Sequence, residues 1–111
     1  MVKKTKKHKS NTFEKDFKIA MKKFEDAVNA LEDLQENWGI KLAAKNLLES
    51  AEEFAFVGKR KRCYFDSFCS DEEIMRKTLK DMKTERDCGF DQIFYALDDL
   101  EKATVNLRLK G

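Results

Sequence analysis

The stretch from Phe13 to Trp38 constrains the fold of this chain more than any other. Its apolar residues recur at spacings of mostly three or four, as on one face of an α-helix. This face comprises Phe13, Phe17, Ala20, Phe24, Ala27, Val28, Leu31, Leu34 and Trp38. Asn11 can cap the start of the helix and Gly39 can end it. Burying each large apolar side chain is worth about 1.5–3 kcal/mol, so we expect this helix to form the core of a bundle.

The composition favours one domain built from long helices. The chain has 111 residues, no proline and only four glycines, and 40% of its residues are charged. A chain of this length forms one domain by the usual size range, and scarce helix breakers favour uninterrupted helices. No apolar run approaches the roughly 18 residues of a membrane span, and no apolar segment of a signal peptide follows the basic N-terminus. We therefore expect a cytoplasmic protein, or a nuclear one if the host is eukaryotic or viral.

The net charge of +2 hides two compact basic segments. The first contributes five lysines within residues 1–12 and the second is the tetrapeptide KRKR at residues 59–62. Without these nine cations, the rest of the chain has 14 basic and 21 acidic residues, so it carries about −7. Residues 1–10 lack apolar periodicity, so we predict a disordered basic arm there and a single helical domain over residues 11–111.

Two further segments follow the first helix. A second helix is predicted from Ile40 to Phe56, antiparallel to the first because the link is short, with Gly58 as its terminator. The stretch Lys59–Cys69 has no clean period. We predict a loop there, whose aromatic residues tuck under the end of the bundle.

The last forty residues permit two arrangements. Ser70 with Glu73 forms a capping box that starts a third helix, and a fourth is predicted from Phe90 to Leu109. The apolar register continues across Gly89, so one helix of nearly 40 residues, which would favour a dimer, is the alternative. We favour two helices, with Asp87 as the N-cap of the fourth. The predicted fold is thus an all-α antiparallel bundle of three or four helices with a disordered basic N-terminal arm.

The residues that carry most enzyme chemistry are scarce. Cys63, Cys69 and Cys88 show no paired zinc-ligand spacing, and the one histidine, His8, lies in the arm. We expect reduced thiols, with a Cys63–Cys69 disulfide as the alternative in an oxidising compartment. Nucleophilic catalysis needs a base beside the nucleophile, and the sequence shows no evident pair of this kind. We predict no enzyme activity, no cofactor, no metal and no small-molecule substrate.

The acidic cluster of the last helix leaves a minor enzyme hypothesis open. Asp98, Asp99 and Glu101 lie close together in the sequence and are expected to form a solvated face. Paired carboxylates can also hold a metal or transfer protons. An enzyme that uses these carboxylates with a metal is therefore the third and weakest hypothesis.

The basic segments are the candidate sites, and they leave two main functions open. The candidate residues for an anionic partner are Lys3, Lys4, Lys6, Lys7, Lys9, Lys59, Arg60, Lys61 and Arg62. The candidate residues for stacking on bases are Tyr64, Phe65 and Phe68. The first hypothesis is a small binding or regulatory protein that contacts a protein partner, or a second copy of itself, through its helical bundle. The alternative is a nucleic-acid-binding accessory protein that uses the lysine arm and KRKR. Nuclear import, contact with acidic proteins or lipid headgroups, or a solvated loop would also explain KRKR.

Overall fold

A computed structural model of the chain describes the backbone of residues 2–30, 38–83 and 90–110, and the side chains of residues 13–30, 38–81 and 90–109. The described residues form four α-helices and no strand. The helices are α1 (Val2–Asn29), α2 (Trp38–Glu52), α3 (Arg62–Lys83) and α4 (Phe90–Lys110). A π-helical turn, Glu53–Val57, extends α2 and is called the π turn below. The all-α bundle predicted from the sequence is thus confirmed.

Contacts between the helices establish an antiparallel order. Ser50 of α2 donates a hydrogen bond to Asp71 of α3, and Phe54 packs on Phe65 with ring centroids 5.4 Å apart. Arg76 of α3 reaches Asp98 of α4 at 2.9 Å, and the Arg108 guanidinium lies 5.7 Å from the Phe65 ring. Both helix pairs therefore run in opposite directions, which excludes one continuous helix over the last forty residues. Asp87 and Gly89 lie outside the described residues.

The core forms because each helix buries one apolar stripe. α1 packs mainly on α4, and α2 mainly on α3, so the bundle consists of two tight pairs. The largest fully buried side chains are Phe17, Phe24, Ile40, Leu47, Phe54, Phe68, Met75, Leu79, Ile93, Leu97 and Leu100. Most were predicted as core residues, because spacings of three and four identify the buried face. Ile74, assigned to the same stripe as Met75, is exposed instead.

The first helix ends earlier than predicted. α1 stops at Asn29, and Trp38 begins α2, where its side chain is 70% exposed. Gly39 therefore lies inside α2 and does not end a helix. The predictions that α1 extends to Trp38 and that Gly39 ends it were both wrong. The error has a physical cause, because no glycine or proline marks the end of α1 and the apolar spacing alone carries no stop signal. Leu31 and Leu34 lie outside the described residues.

α1 starts within the predicted basic arm, and the disorder of residues 1–10 stays a prediction. The helix begins at Val2 and includes residues 2–10, which were predicted to form a disordered arm. This stretch contains no glycine or proline, and lysine has a high helix propensity, so nothing local prevents continuation of the helix. The side chains of residues 1–12 lie outside the described set.

α3 begins eight residues before the predicted capping box. Residues 62–69 were predicted as a loop, but the helix starts at Arg62, where the Lys61 carbonyl accepts hydrogen bonds from Tyr64 and Phe65 at 3.1 Å. Ser70 therefore lies within the helix and caps nothing. Phe68, Met75 and Leu79 share the buried face at spacings of seven and four. This spacing was hidden because the cations and cysteines around Phe68 interrupt the pattern.

Candidate functional site

An open groove lies between α1 and α2, because each of these helices packs more closely on another partner. The groove has a volume of about 720 Å³. Its apolar lining comprises Met21, Val28, Ala44, Leu48 and Phe56. Its polar rim comprises Lys18, Lys22, Glu25 and Asn29 from α1, and Lys41, Lys45, Glu49 and Glu52 from α2. An apolar floor with a charged rim is suited to the apolar face of another helix.

The π turn closes one end of the groove. Residues two apart in a helix point to nearly opposite sides, so Phe54 and Phe56 face different helices. Phe54 packs on Phe65 of α3, whereas Phe56 meets Phe17 of α1 edge-on, with centroids 6.0 Å apart. The Lys18 ammonium lies 5.3 Å from the Phe56 ring centroid, an attractive cation–π geometry. These contacts join α1 to the end of α2 and fix the groove at this end.

Charges of both signs line the two rims. Because α1 and α2 are antiparallel, Lys18 and Lys22 lie towards the same end as Glu52, whereas Glu25 lies towards the end with Lys41. No ion pair joins α1 to α2 between residues 13–30 and 38–52, the described side chains of the two rims. The rim charges therefore remain available to a ligand, except that Lys18 lies over the Phe56 ring and Lys22 has a weak, exposed pair with Asp26 at 3.4 Å.

The second candidate surface is the turn that contains KRKR. Lys59 and Arg60 adopt left-handed backbone conformations, with φ of 50° and 63°. The Gly58 amide donates to the Glu53 carbonyl, and the Arg60 amide donates to the Phe54 carbonyl at 2.8 Å. A Cβ atom at Gly58 would overlap the Tyr64 ring, so this position requires glycine because of close approach rather than its φ of −79°.

The four cations of KRKR have different environments. Arg60 turns towards α1 and donates a hydrogen bond to the Glu14 carboxylate at 2.7 Å, with both side chains about one third exposed or less. Lys59, Lys61 and Arg62 are exposed. Arg62 approaches Asp66 at 4.0 Å, a contact that high exposure of both groups makes weak. Three of the four predicted cations can therefore contact a partner, while Arg60 holds the turn in place.

The predicted stacking residues serve the core instead. Phe68 is completely buried, so its assignment as a base-stacking residue was wrong. Phe65 is half-buried and contacts the rings of Phe54 and Phe68, and the Arg108 guanidinium lies 5.7 Å from its centroid. Tyr64 is half-buried against Gly58. Because aromatic residues at the end of a bundle bury large apolar areas, the packing uses them before any partner does.

Part of the acidic cluster of α4 pairs with one arginine. The Arg76 guanidinium contacts Glu72 and Asp98 at 2.9 Å, and Glu101 at 3.0 Å. Glu72 is only 6% exposed, and burial raises its pKa, while the hydrogen bond and charge of Arg76 act to lower it. Asp99 is exposed on another side of α4, beside Lys23 of α1. The cluster therefore joins α3 to α4 through Arg76, rather than being uniformly solvated.

The cysteines and carboxylates form no metal-binding group within the described residues. Cys63 and Cys69 are free, exposed thiols on α3, and Cys88 lies outside the described residues. Burial, followed by the charge of Glu72, raises the pKa of Cys69, which makes its thiolate scarcer at neutral pH. Within residues 13–30, 38–81 and 90–109, no three histidine, cysteine, aspartate or glutamate side chains are placed to hold a metal ion.

Sequence reasoning missed the α1–α2 groove. Ala44 and Leu48 were assigned to the core stripe, but they also line the groove, and Met21 was assigned to neither. A partial signal was present in Ala44, a small residue of α2 that lines the groove. The sequence could not show that α1 would leave this space open by packing on α4.

The fold defines the protein as an antiparallel all-α four-helix bundle. Comparison of the chain with models of known protein families, with curated proteins and with solved structures found no match. None of the helices in the described part of the chain combines the length and apolar character needed to cross a membrane. The groove and the charged surfaces are therefore the features that bear on function.

Proposed function

We propose that the protein is a small non-catalytic binding protein, with a regulatory role, that receives a helix of a protein partner in the α1–α2 groove. The observation that carries this proposal is the open groove between α1 and α2. The groove has an apolar floor and a volume of about 720 Å³. The groove has the form that helix-in-groove recognition uses, with apolar anchors at its base and charges at its rim. We place this activity in the cytoplasm, or in the nucleus of a eukaryotic or virus-infected cell.

The rim indicates the chemistry of the partner. Lys18 and Glu52 flank one end of the groove, and Glu25 and Lys41 flank the other. A helix with apolar residues at spacings of three and four, and with both acidic and basic residues on its flanks, fits this pattern. The same surface would serve a second copy of this chain if the copy offers such a helix. Apolar burial supplies the affinity, and the rim selects the orientation.

Site-specific photo-crosslinking in the host cell tests the proposal. A photoreactive phenylalanine analogue replaces Leu48 in the groove or, as a control, Tyr95, which is exposed on α4 outside the groove. We expect position 48 alone to give an adduct, and mass spectrometry should locate it on an amphipathic helix of one protein. Equal yields at both positions, or an adduct outside a helix, would contradict the proposal.

Binding of the purified partner helix supplies the quantitative test. Lys45→Glu reverses a charge on the exposed rim and should weaken binding roughly tenfold, or about 1.4 kcal/mol, because it turns an attraction to the partner helix into a repulsion. Leu48→Asp should abolish binding, provided that circular dichroism shows an unchanged fold. Lys80→Glu, on the exposed face of α3, is the matched control and should leave the dissociation constant unchanged.

A further inference from the structure

The outward face of α2 and the π turn carries a stripe of exposed side chains, called the α2 stripe below. Its members follow each other at alternating intervals of four and three residues, the heptad spacing at which one helix packs along another. All of its side chains are exposed, including three large apolar ones. The α2 stripe consists of Trp38, Leu42, Lys45, Glu49, Glu52 and Phe56.

The charges on this face are ordered along the helix. Lys41, beside the stripe, lies in the first turn of α2, and Lys45 lies at its middle. Glu49 and Glu52 lie in its last turn. This order opposes the helix dipole, which favours acidic side chains at the start of a helix and basic ones at its end. A lysine four residues before a glutamate is also the weaker orientation for a pair within one helix. The order of charges therefore weakens α2 taken alone.

These four charged side chains are free to meet a partner. No ion pair within residues 13–30, 38–81 and 90–109 involves any of them. All four also belong to the α2 rim of the α1–α2 groove, which Phe56 lines at one end. A helix that docks at this rim is attracted when it places acidic side chains opposite the two lysines and basic ones opposite the two glutamates.

α2 has the required order of charges when it is reversed. The α2 stripe is self-complementary about residue 47, because its positions lie two, five and nine residues on either side of that point. An antiparallel second copy of α2 therefore places its Glu49 opposite Lys45, and its Lys45 opposite Glu49. In the same register, Trp38 of the second copy lies level with Phe56. A two-fold axis repeats each of these contacts.

We propose that a second copy of this chain docks antiparallel along the α2 stripe and forms a two-fold symmetric dimer. This inference rests on the proposed function, because α2 of the second copy becomes the helix that meets the groove rim. Two equivalent ion pairs between Lys45 and Glu49 form the centre of the interface. Towards each end, Lys41 lies beside Glu52 of the second copy. The exposed ring of Trp38, paired with Phe56, supplies apolar contact at both ends.

The size of the stripe determines the strength of this dimer. One helix face from each copy is smaller than the standard interface, which uses about 20–30 residues a side. Each exposed ion pair also contributes little. We therefore expect a reversible dimer with a dissociation constant in the micromolar range, which weakens as the salt concentration rises.

Analytical ultracentrifugation of the full chain tests the inference, because it measures the dissociation constant of the dimer. Lys45→Glu alone, or Glu49→Lys alone, places like charges opposite each other at both central contacts. Each should weaken the dimer at least tenfold. An equimolar mixture of the two variants should restore the dimer, because each variant supplies the charge that the other lacks. Restoration on mixing excludes misfolding of either variant as the cause of the loss.

A matched pair of substitutions on α3 separates this surface from the effect of net charge. Lys77→Glu and Glu73→Lys make the same charge changes at exposed positions that are also four residues apart. Both should leave the dissociation constant unchanged. A reducing agent is present throughout, because Cys63 and Cys69 are exposed thiols that could otherwise link two copies.

Three results would overturn the inference: a chain that stays monomeric at about 0.5 mM, equal losses in the α3 variants, or no restoration in the mixture. The proposed function can fail separately. A monomeric chain whose photoreactive probe at position 48 still labels a helix of another protein would refute only the dimer. A dimer with the expected charge pairing but no adduct at position 48 would support the α2 pairing and refute occupation of the groove.

Discussion

We predict that Arg76→Met lowers the free energy of unfolding, because it removes the guanidinium that pairs with Glu72. In the folded protein Arg76 is the partner of Glu72, which is only 6% exposed. Removing one partner of a buried ion pair costs about 3–5 kcal/mol, and we expect the lower end because the Arg76 side chain is 29% exposed. Asp98 and Glu101 add little, since they are 61% and 48% exposed. A loss of about 3 kcal/mol corresponds to a fall of roughly 12 °C in the melting temperature of a domain of this size.

The pH dependence of this loss identifies its cause. Burial already raises the pKa of Glu72, so the folded state binds its proton more tightly than the unfolded state does. The free energy of unfolding therefore falls as pH rises from the ordinary glutamate value of 4.5 through the raised one. Without Arg76, the contributions that lower this pKa disappear, and the fall becomes steeper. The difference between Arg76→Met and the parent protein should thus be smaller at pH 4 than at pH 7.

Urea denaturation followed by circular dichroism at both pH values measures these differences. The double variant Glu72→Met, Arg76→Met should recover most of the lost stability, because an apolar pair of similar volume replaces the ion pair. Lys80→Met, an exposed position on the same helix, is the control and should change stability by less than about 0.5 kcal/mol. A loss below about 1 kcal/mol at pH 7 for Arg76→Met would refute this reasoning, as would a double variant no more stable than the single one.

Three further predictions concern packing. Gly58→Ala should destabilise the fold by about 1–3 kcal/mol, because its Cβ would meet the Tyr64 ring, and Tyr64→Ala in the same chain should relieve the clash in chemical denaturation. Phe24→Ala should cost about 3–5 kcal/mol, whereas Trp38→Ala, at a position 70% exposed, should shift the melting temperature by no more than 2 °C. Thr104→Val should cost about 1 kcal/mol by calorimetry, because the buried hydroxyl donates to the Leu100 carbonyl at 2.7 Å.

The apolar spacing in the sequence was enough to predict the class of fold and most of the core. Phe17 and Phe24 illustrate why, since spacings of three and four place side chains on one helix face whatever partner covers it. Trp38 illustrates the limit, because its spacing fits α1 although it belongs to α2. Phe68 was misassigned because nearby charges and cysteines interrupt the apolar spacing. A helical stretch was therefore predicted as a loop. A local pattern shows which face of a helix is buried, but it does not show which helices pack together.

The candidate sites were predictable to a smaller degree. Charge patterns identified the basic segments directly, because charged clusters are visible without a fold. The different role of Arg60 depends on Glu14, which is remote in sequence, so no local pattern could distinguish it from Lys59. The groove exists because α1 packs mainly on α4 and α2 mainly on α3. This pairing depends on the packing of all four helices together.

The pairing of α1 with α4 and of α2 with α3 also has a consequence for the order of folding. Nine residues, 53–61, separate α2 from α3, whereas 60 residues, 30–89, separate α1 from α4. Closing the longer loop costs about 1.7 kcal/mol more chain entropy if each loop closes independently. Once the α2–α3 hairpin has formed, however, it shortens the effective separation of α1 and α4. The central hairpin is thus expected to act as the folding nucleus, onto which the two terminal helices later assemble.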